Sequence, residues 1–190
     1  MHLVLFGPPG AGKGTQAAFI VKQYDLIHLS TGDIFRANIK GGTDLGKQAQ
    51  SFMDQGQLVP DEVTINMLKA EVEKHPGAGG FVYDGFPRTV AQAVALDAYL
   101  AGRNEKVDAL VALEVPEDEL KVRLTERAKS SGRSDDANPE VIQNRIKVYR
   151  QETEPVKAHY ETLNRYKGVN GVGAIHSITE RLVAAIDSIK

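Results

Sequence analysis

The chain has 190 residues, 42% hydrophobic and 25% charged, ordinary values for a globular domain that exclude a disordered or fibrous chain. Its 23 Lys and Arg against 25 Asp and Glu leave a formal charge of −2, which argues against a broad nucleic-acid or anionic-membrane surface. There is no Cys, so disulfides, thiolate metal sites and Cys nucleophiles are excluded.

The apolar start, Met1 to Phe6, runs straight into Gly7-Pro8-Pro9. It lacks a basic n-region and is far too short for a membrane span, so it reads as neither signal peptide nor anchor, and a soluble, cytoplasmic protein is expected. Leu3 to Phe6 is the first strand. A helix follows from Lys13 to about Tyr24, with Ala17, Ile20, Val21 and Tyr24 at helical spacing. Leu26 to Leu29 is a second strand, and a polar, helix-rich stretch from Thr31 to about Gln55 breaks at Gly41-Gly42. Pro60 ends the next connection, and Val63, Met67, Ala70 and Lys74 trace a helix to His75. Residues 76–80 form a loop by composition. Phe81-Val82-Tyr83 is a strand ending at Asp84, and a helix runs from about Thr89 to Leu100. Val107 to Val115 is the most continuous apolar run and reads as a central buried strand. Pro116 suits the first turn of a helix to about Arg127, with Asp118 and Glu119 near its positive end.

Residues 130–136 read as a short exposed excursion. Helix resumes near Pro139 and kinks at Pro155, a weak strand covers Tyr166 to Val169, and a last helix starts near Ser177. Strands separated by helices imply an α/β fold: a three-layer α/β/α sandwich around a parallel sheet of about five strands. Such a sheet binds ligands beyond the carboxyl ends of its strands. Segments 30–59 and 126–136 depart from the alternation, so they read as insertions on a core of residues 1–29, 60–125 and 137–190.

Gly7-Pro8-Pro9-Gly10-Ala11-Gly12-Lys13-Gly14-Thr15 lies where strand meets helix. Its glycines let backbone N–H groups curl around phosphates, Lys13 reaches the terminal phosphates, and the helix N-terminus adds positive potential. The general motif places Ser or Thr directly after the Lys. Here Gly14 intervenes, which weakens Thr15 as a direct magnesium ligand and leaves the phosphate cradle intact.

This loop resembles the variant found in nucleoside monophosphate kinases. So do Leu29-Ser30-Thr31-Gly32-Asp33 with Arg36, and Asp84-Gly85-Phe86-Pro87-Arg88-Thr89 with Gln92. The resemblance is closest to the adenylate kinase family, whose members interconvert ATP plus AMP with two ADP, and it spans essentially the whole chain. It implies a single kinase domain, residues 1–190, in which insertion 30–59 binds AMP and segment 126–136 is a short lid. By the same resemblance Gly10, Ala11, Gly12, Lys13, Gly14, Thr15, Arg127 and Gly173 hold ATP. Thr31, Arg36, Gln57, Leu58, Val59, Gly85, Phe86, Pro87, Arg88 and Gln92 hold AMP, joined by Arg133 and Arg145. Lys13, Arg88, Arg127, Arg133 and Arg145 would be catalytic, with Asp135 and Asp136 latching the lid; Arg123 and Arg150 are left open.

The residues' own chemistry agrees in part. Two polyanions brought into line need cationic partners, and Arg36 and Arg88 offer forked, permanent charges, although a lone Arg is more often a solvated surface charge. Gln92 either pairs its amide with an adenine edge or is a polar residue on an exposed helix face. Asp84 either holds magnesium, through water, or caps a turn; Asp33 reads as capping or orienting its own helix. The five histidines show no ligand or triad spacing. No general base is evident, and a phosphate acceptor that is already anionic scarcely needs one. Magnesium with ATP is expected and structural zinc is not. The expected partners are ATP, AMP and ADP, with no nucleic acid, no membrane and a monomeric chain. A UMP/CMP or broad-specificity nucleoside monophosphate kinase and a nucleotide-binding switch are the competing readings; the switch would not need arginines around two facing nucleotide sites.

Overall fold

Successive side chains of a strand point to opposite faces, so a strand buried along its whole length must lie inside a sheet covered on both sides. The first strand, β1 (His2–Phe6), is of this kind: Val4 and Phe6 join one apolar cluster, Leu3 and Leu5 the other. The computed structural model describes residues 1–133, 136 and 138–189. In chain order β1 is followed by α1 (Lys13–Tyr24), β2 (Ile27–Ser30), α2 (Thr31–Lys40), α3 (Asp44–Met53), α4 (Asp61–Glu73), β3 (Phe81–Asp84) and α5 (Val90–Ala101). Then come β4 (Ala109–Glu114), α6 (Glu117–Ser131), α7 (Pro139–Val148), a π-helical turn (Tyr149–Thr153), α8 (Val156–Thr162), β5 (Tyr166–Asn170) and α9 (Ile175–Asp187). The five strands form one parallel sheet in the order β2-β3-β1-β4-β5.

Ala17 and Ile20 of α1, Leu120 of α6, and Ile178, Leu182 and Ile186 of α9 cover one face. Leu68 and Val72 of α4, Ala93, Leu96 and Leu100 of α5, and Val156 and Tyr160 of α8 cover the other. The chain leaving β1 therefore turns to one face and the chain leaving its neighbour β3 turns to the opposite face. That reversal opens a crevice between the carboxyl ends of the two strands.

Several boundaries differ from the sequence reading. β4 is an interior, buried strand as read from its apolar run, lying between β1 and β5, and it starts later and ends earlier than that run, at Ala109 and Glu114. Val107 is fully buried although it precedes β4. Pro116 stands before α6 as its N-cap residue, and α6 runs past Arg127 to Ser131, ending where Gly132 takes a left-handed φ of 60°. The C-terminal helix starts at Ile175. At Pro155 the helical path is interrupted, with the π turn ending at Thr153 and α8 starting at Val156. The helix widens into the π turn, where the Glu154 N–H donates to the Tyr149 carbonyl at 2.8 Å, and α8 begins after the proline that cannot donate. Ser30, not Asp33, caps α2, its Oγ accepting from the Asp33 N–H.

Helices α2 and α3 pack on each other, and Phe35 and Ala49 share a separate small cluster with Val59 and Met67. Thr43 caps α3 by accepting from the Gly46 N–H at 3.0 Å. Among the described residues no helix is long and apolar enough to cross a membrane.

Gly46 decides how closely these two helices approach. A Cβ there would overlap the Asn38 carbonyl and lie within 2.6 Å of the Ile39 backbone nitrogen. Helix propensity alone favours Ala over Gly by about 1 kcal/mol. Because the obstruction is backbone, Gly46→Ala is expected instead to destabilise the α2–α3 pair by roughly 1–3 kcal/mol. Hydrogen exchange of α2 and α3 amides measures this, and slower exchange in the variant would contradict it.

Candidate active site

The loop from Gly7 to Gly12 joins β1 to α1 at the crevice. Gly10 has a φ of 85°, and a Cβ there would press to 2.9 Å from Leu124 Cγ, so only glycine lets the loop lie against α6. The N-cap of α1, Gly12, provides no side-chain cap, and no acid occupies the first turn. The positive end of α1 is therefore left unneutralised at the loop. Lys13 folds back over the loop, its Nζ donating to the Gly7 carbonyl at 2.8 Å and the Pro8 carbonyl at 3.1 Å. Burial pushes its ammonium down to about 8, and Arg88, Arg145 and Arg127 push the same way, against the attraction of Asp84.

Asp84 ends β3 and pairs in register with Leu5 of β1 and Ser30 of β2. It is buried, and its Oδ2 lies 3.3 Å from His28 Nε2. Burial works against its charge, yet the His28 contact and the charges of Lys13 and Arg88 outweigh it and hold the carboxyl below its usual range. Gly14 lies directly above, where a Cβ would sit 3.6 Å from Asp84 Oδ2. In the next residues the Gly85 carbonyl accepts from Thr31 Oγ1 and from Arg88 Nε, both at 2.8 Å. One backbone oxygen thus ties β3, α2 and the arginine together.

Asp136 organises the far side. Its carboxylate, fully buried, accepts from Arg127 Nε at 2.6 Å and Nη2 at 2.8 Å, and from Arg145 Nη1 at 2.7 Å. Burial opposes its charge, but the two guanidiniums prevail and lower its pKa. Asp33 plays a similar part nearby, accepting from Arg36 Nη2 at 2.6 Å with Arg133 Nη2 at 3.5 Å. Helix α7 touches the α2–α3 unit, since Asn144 Nδ2 donates to the Gln55 carbonyl at 2.6 Å.

One cleft brings together Lys13, Thr31, Arg36, Gln57, Leu58, Val59, Gly85, Pro87, Arg88, Gln92 and Arg145. Phe86 is an exception: its ring is buried in the core cluster under α5, leaving only its backbone near the cleft. Gln92 is not on an exposed helix face; it is 1% exposed. Arg127 reaches the cleft indirectly, through the Asp136 carboxylate it shares with Arg145. Gly173 lies outside it, against Arg181. Arg123, left open by sequence, joins that region to the phosphate loop, donating to the Gly171 carbonyl at 3.0 Å and the Ala11 carbonyl at 3.4 Å. Asp135 lies outside the described residues. Sequence reasoning missed Tyr149 and Thr153, which line the cleft from the π turn, because nothing in the local pattern marks a π turn. It also missed Asp61, whose bonds to Thr89 and Gln92 are long-range.

A phosphate-cradling loop at the switch point of a doubly covered parallel sheet, faced by arginines across the crevice, defines a nucleotide-handling phosphoryl-transfer protein. The comparisons narrow this. The adenylate kinase family profile matches residues 5–165. The chain is 52% identical over 189 residues to an adenylate kinase of Flavobacterium psychrophilum and 47% identical over 189 residues to one of Bacteroides thetaiotaomicron, covering 100% of both chains in each case. An adenylate kinase of Thermobifida fusca is 47% identical over 188 residues, 99% of each chain. The chain belongs to the adenylate kinase family, and the reaction is reversible phosphoryl transfer from ATP to AMP, giving two ADP.

The shared Asp136 carboxylate yields a stability prediction. Asp136→Asn leaves two guanidiniums facing each other with their common counter-charge gone, an expected loss of about 3 kcal/mol. Because the folded pKa is lowered, this stabilisation is complete above the unfolded value of about 3.9 and is lost as pH falls through the folded value. Denaturation midpoints from pH 7 down to 3 should therefore fall less steeply in the variant. Parallel curves would remove Asp136 from the balance.

Proposed function

We propose that ATP lies along the phosphate loop and AMP beneath α2, with their phosphates meeting in the crevice between β1 and β3. The observation that supports this most is the convergence of Lys13, Arg88 and Arg145 on the cleft that also holds Thr31, Arg36 and Gln92. In this reading Gly10 to Thr15, with Arg127 and Gly173, hold the donor. Thr31, Arg36, Gln57 to Val59, Gly85 to Arg88 and Gln92, with Arg133 and Arg145, hold the acceptor. Residues 30–59 act as the acceptor-binding unit and 126–136 as a short lid on a core of 1–29, 60–125 and 137–190. Lid closure excludes water that would otherwise hydrolyse ATP.

The acceptor oxygen is already anionic at neutral pH, so catalysis rests on alignment and charge neutralisation. Lys13, Arg88, Arg127, Arg133 and Arg145 supply the positive charge, and Asp136 holds Arg127 and Arg145 together before substrate arrives. Asp84 suits a water-mediated contact to magnesium: its carboxylate is buried yet held ionised, and Gly14 leaves room beside it. Magnesium bound with ATP neutralises charge on the terminal phosphates. Zinc has no part in this reading, because the short lid carries no Cys to hold it. We infer a monomer working in the cytoplasm from the resemblance to the adenylate kinase family.

Steady-state kinetics with ATP fixed and each monophosphate varied test the acceptor assignment. AMP is expected to exceed UMP and CMP in kcat/KM by on the order of 10²-fold, because a pyrimidine leaves buried polar groups unpaired. Arg88→Ala should weaken every monophosphate alike. Equal use of AMP and UMP by the wild-type enzyme would point instead to a broad-specificity kinase.

Lys13 gives a second test. With its pKa near 8 in the free protein, a polyphosphate that favours the charged form raises it, so binding takes up protons. Near pH 8 the uptake should approach about 0.5 proton per ATP, with affinity falling as pH rises further. Titration calorimetry in buffers of different ionisation enthalpy reads it, and zero uptake would separate Lys13 from the phosphates.

A further inference from the structure

The amide of Gln92 is held at both ends. Its Oε1 accepts from the Arg88 backbone N–H at 2.8 Å, and its Nε2 donates to Asp61 Oδ1 at 2.7 Å. Asp61 is the first residue of α4, separated only by Pro60 from the Gln57-Leu58-Val59 segment that lines the cleft. Thr89 Oγ1, 3.0 Å from both Asp61 oxygens, also accepts from the Gln92 N–H at 3.1 Å, so the N-cap of α5 fixes the carboxylate against the amide. A carboxylate can only accept and a backbone N–H can only donate. A flipped Gln92 would set Oε1 against the carboxylate and Nε2 against the N–H, two repulsive contacts in place of two bonds. The amide therefore has one orientation, with one Nε2 hydrogen and one Oε1 lone pair left to spend on a ligand.

That remainder has a polarity. The adenine edge carrying N1 and the 6-amino group offers one acceptor and one donor, complementary to an amide. A 6-oxopurine offers the reverse pattern on the same edge, an N1–H donor and an O6 acceptor. A free glutamine serves either base by flipping; a locked one serves only the first. We propose that Asp61 is a specificity-determining positioning residue that locks the Gln92 amide so that the acceptor site takes 6-aminopurine and rejects 6-oxopurine monophosphates. The proposal rests on the assignment of Gln92 to the acceptor site made above.

The test compares wild type, Asp61→Asn, Gln92→Ala and the double variant by steady-state kinetics, with ATP fixed and AMP or inosine monophosphate varied. In Asp61→Asn the new amide can donate to a flipped Gln92, so the preference for AMP over inosine monophosphate should fall on the order of tenfold, the scale of one charge-assisted hydrogen bond. The change should lie in KM for the monophosphate, with KM for ATP within a factor of two. Gln92→Ala should lower the preference at least as far, and adding Asp61→Asn to it should change nothing more. A preference kept within twofold by Asp61→Asn but lost in Gln92→Ala overturns the role of Asp61 alone. A preference kept by Gln92→Ala overturns the acceptor-site assignment and the proposal with it. Should Asp61→Asn fold poorly, NMR of the wild-type Gln92 side-chain NH2 pair decides: one proton shifted and protected from exchange supports the lock, and a pair resembling solvent-exposed glutamines overturns it.

Discussion

Like charges crowded into one cleft repel, and the architecture of this protein follows from how that repulsion is contained before substrate arrives. Lys13, Arg88, Arg127 and Arg145 are close enough that the arginines help depress the lysine. Two buried carboxylates counter them. Asp84 lies under Lys13 and Arg88, and Asp136 lies between Arg127 and Arg145. Each stays ionised because its cations outweigh the burial that would protonate it. In the proposed reading, nucleotide phosphates would meet donors already held in place by these carboxylates, leaving little reorganisation for the moment of transfer.

The sheet supplies the geometry for this balance. The connections leaving the parallel neighbours β1 and β3 turn to opposite faces of the sheet, which brings the glycine-rich loop and the Asp84 turn together at one edge. The Gly85 carbonyl then ties α2 and Arg88 to the same edge. β1 behind this edge is buried on both faces. The α2–α3 pair is built differently, around a small cluster separate from the two main ones.

Much of this was legible in the residues. The glycine-rich loop and Lys13, the Asp84 to Arg88 turn and the strand–helix alternation are local patterns, and local patterns set local geometry. What escaped the sequence depends on contacts between distant segments. Asp136 pairs with Arg127 and Arg145 on two different helices, and Asp61 reaches Gln92 across 31 positions. Helix ends were misplaced where an amphipathic pattern simply continues, as in α6, or where a capping side chain is missing, as at Ala174 before α9. Phe86 shows a subtler limit: a residue can belong to a binding turn through its backbone while its side chain serves the core.

The π turn between α7 and α8 has a geometric consequence. Arg145 must face the cleft while Val156 and Tyr160, further along the same helical path, must face the sheet. An α-helix advances about 100° per residue, so one extra residue in a turn resets the azimuth of everything beyond it by that angle. The π turn at Tyr149–Thr153 works as a phase shifter between α7, which carries Arg145 on the cleft, and α8, which packs Val156 and Tyr160 into the core. It also puts Tyr149 and Thr153 on the cleft wall. Changing the length of this turn by one residue would rotate Val156 and Tyr160 relative to Arg145 by about 100°.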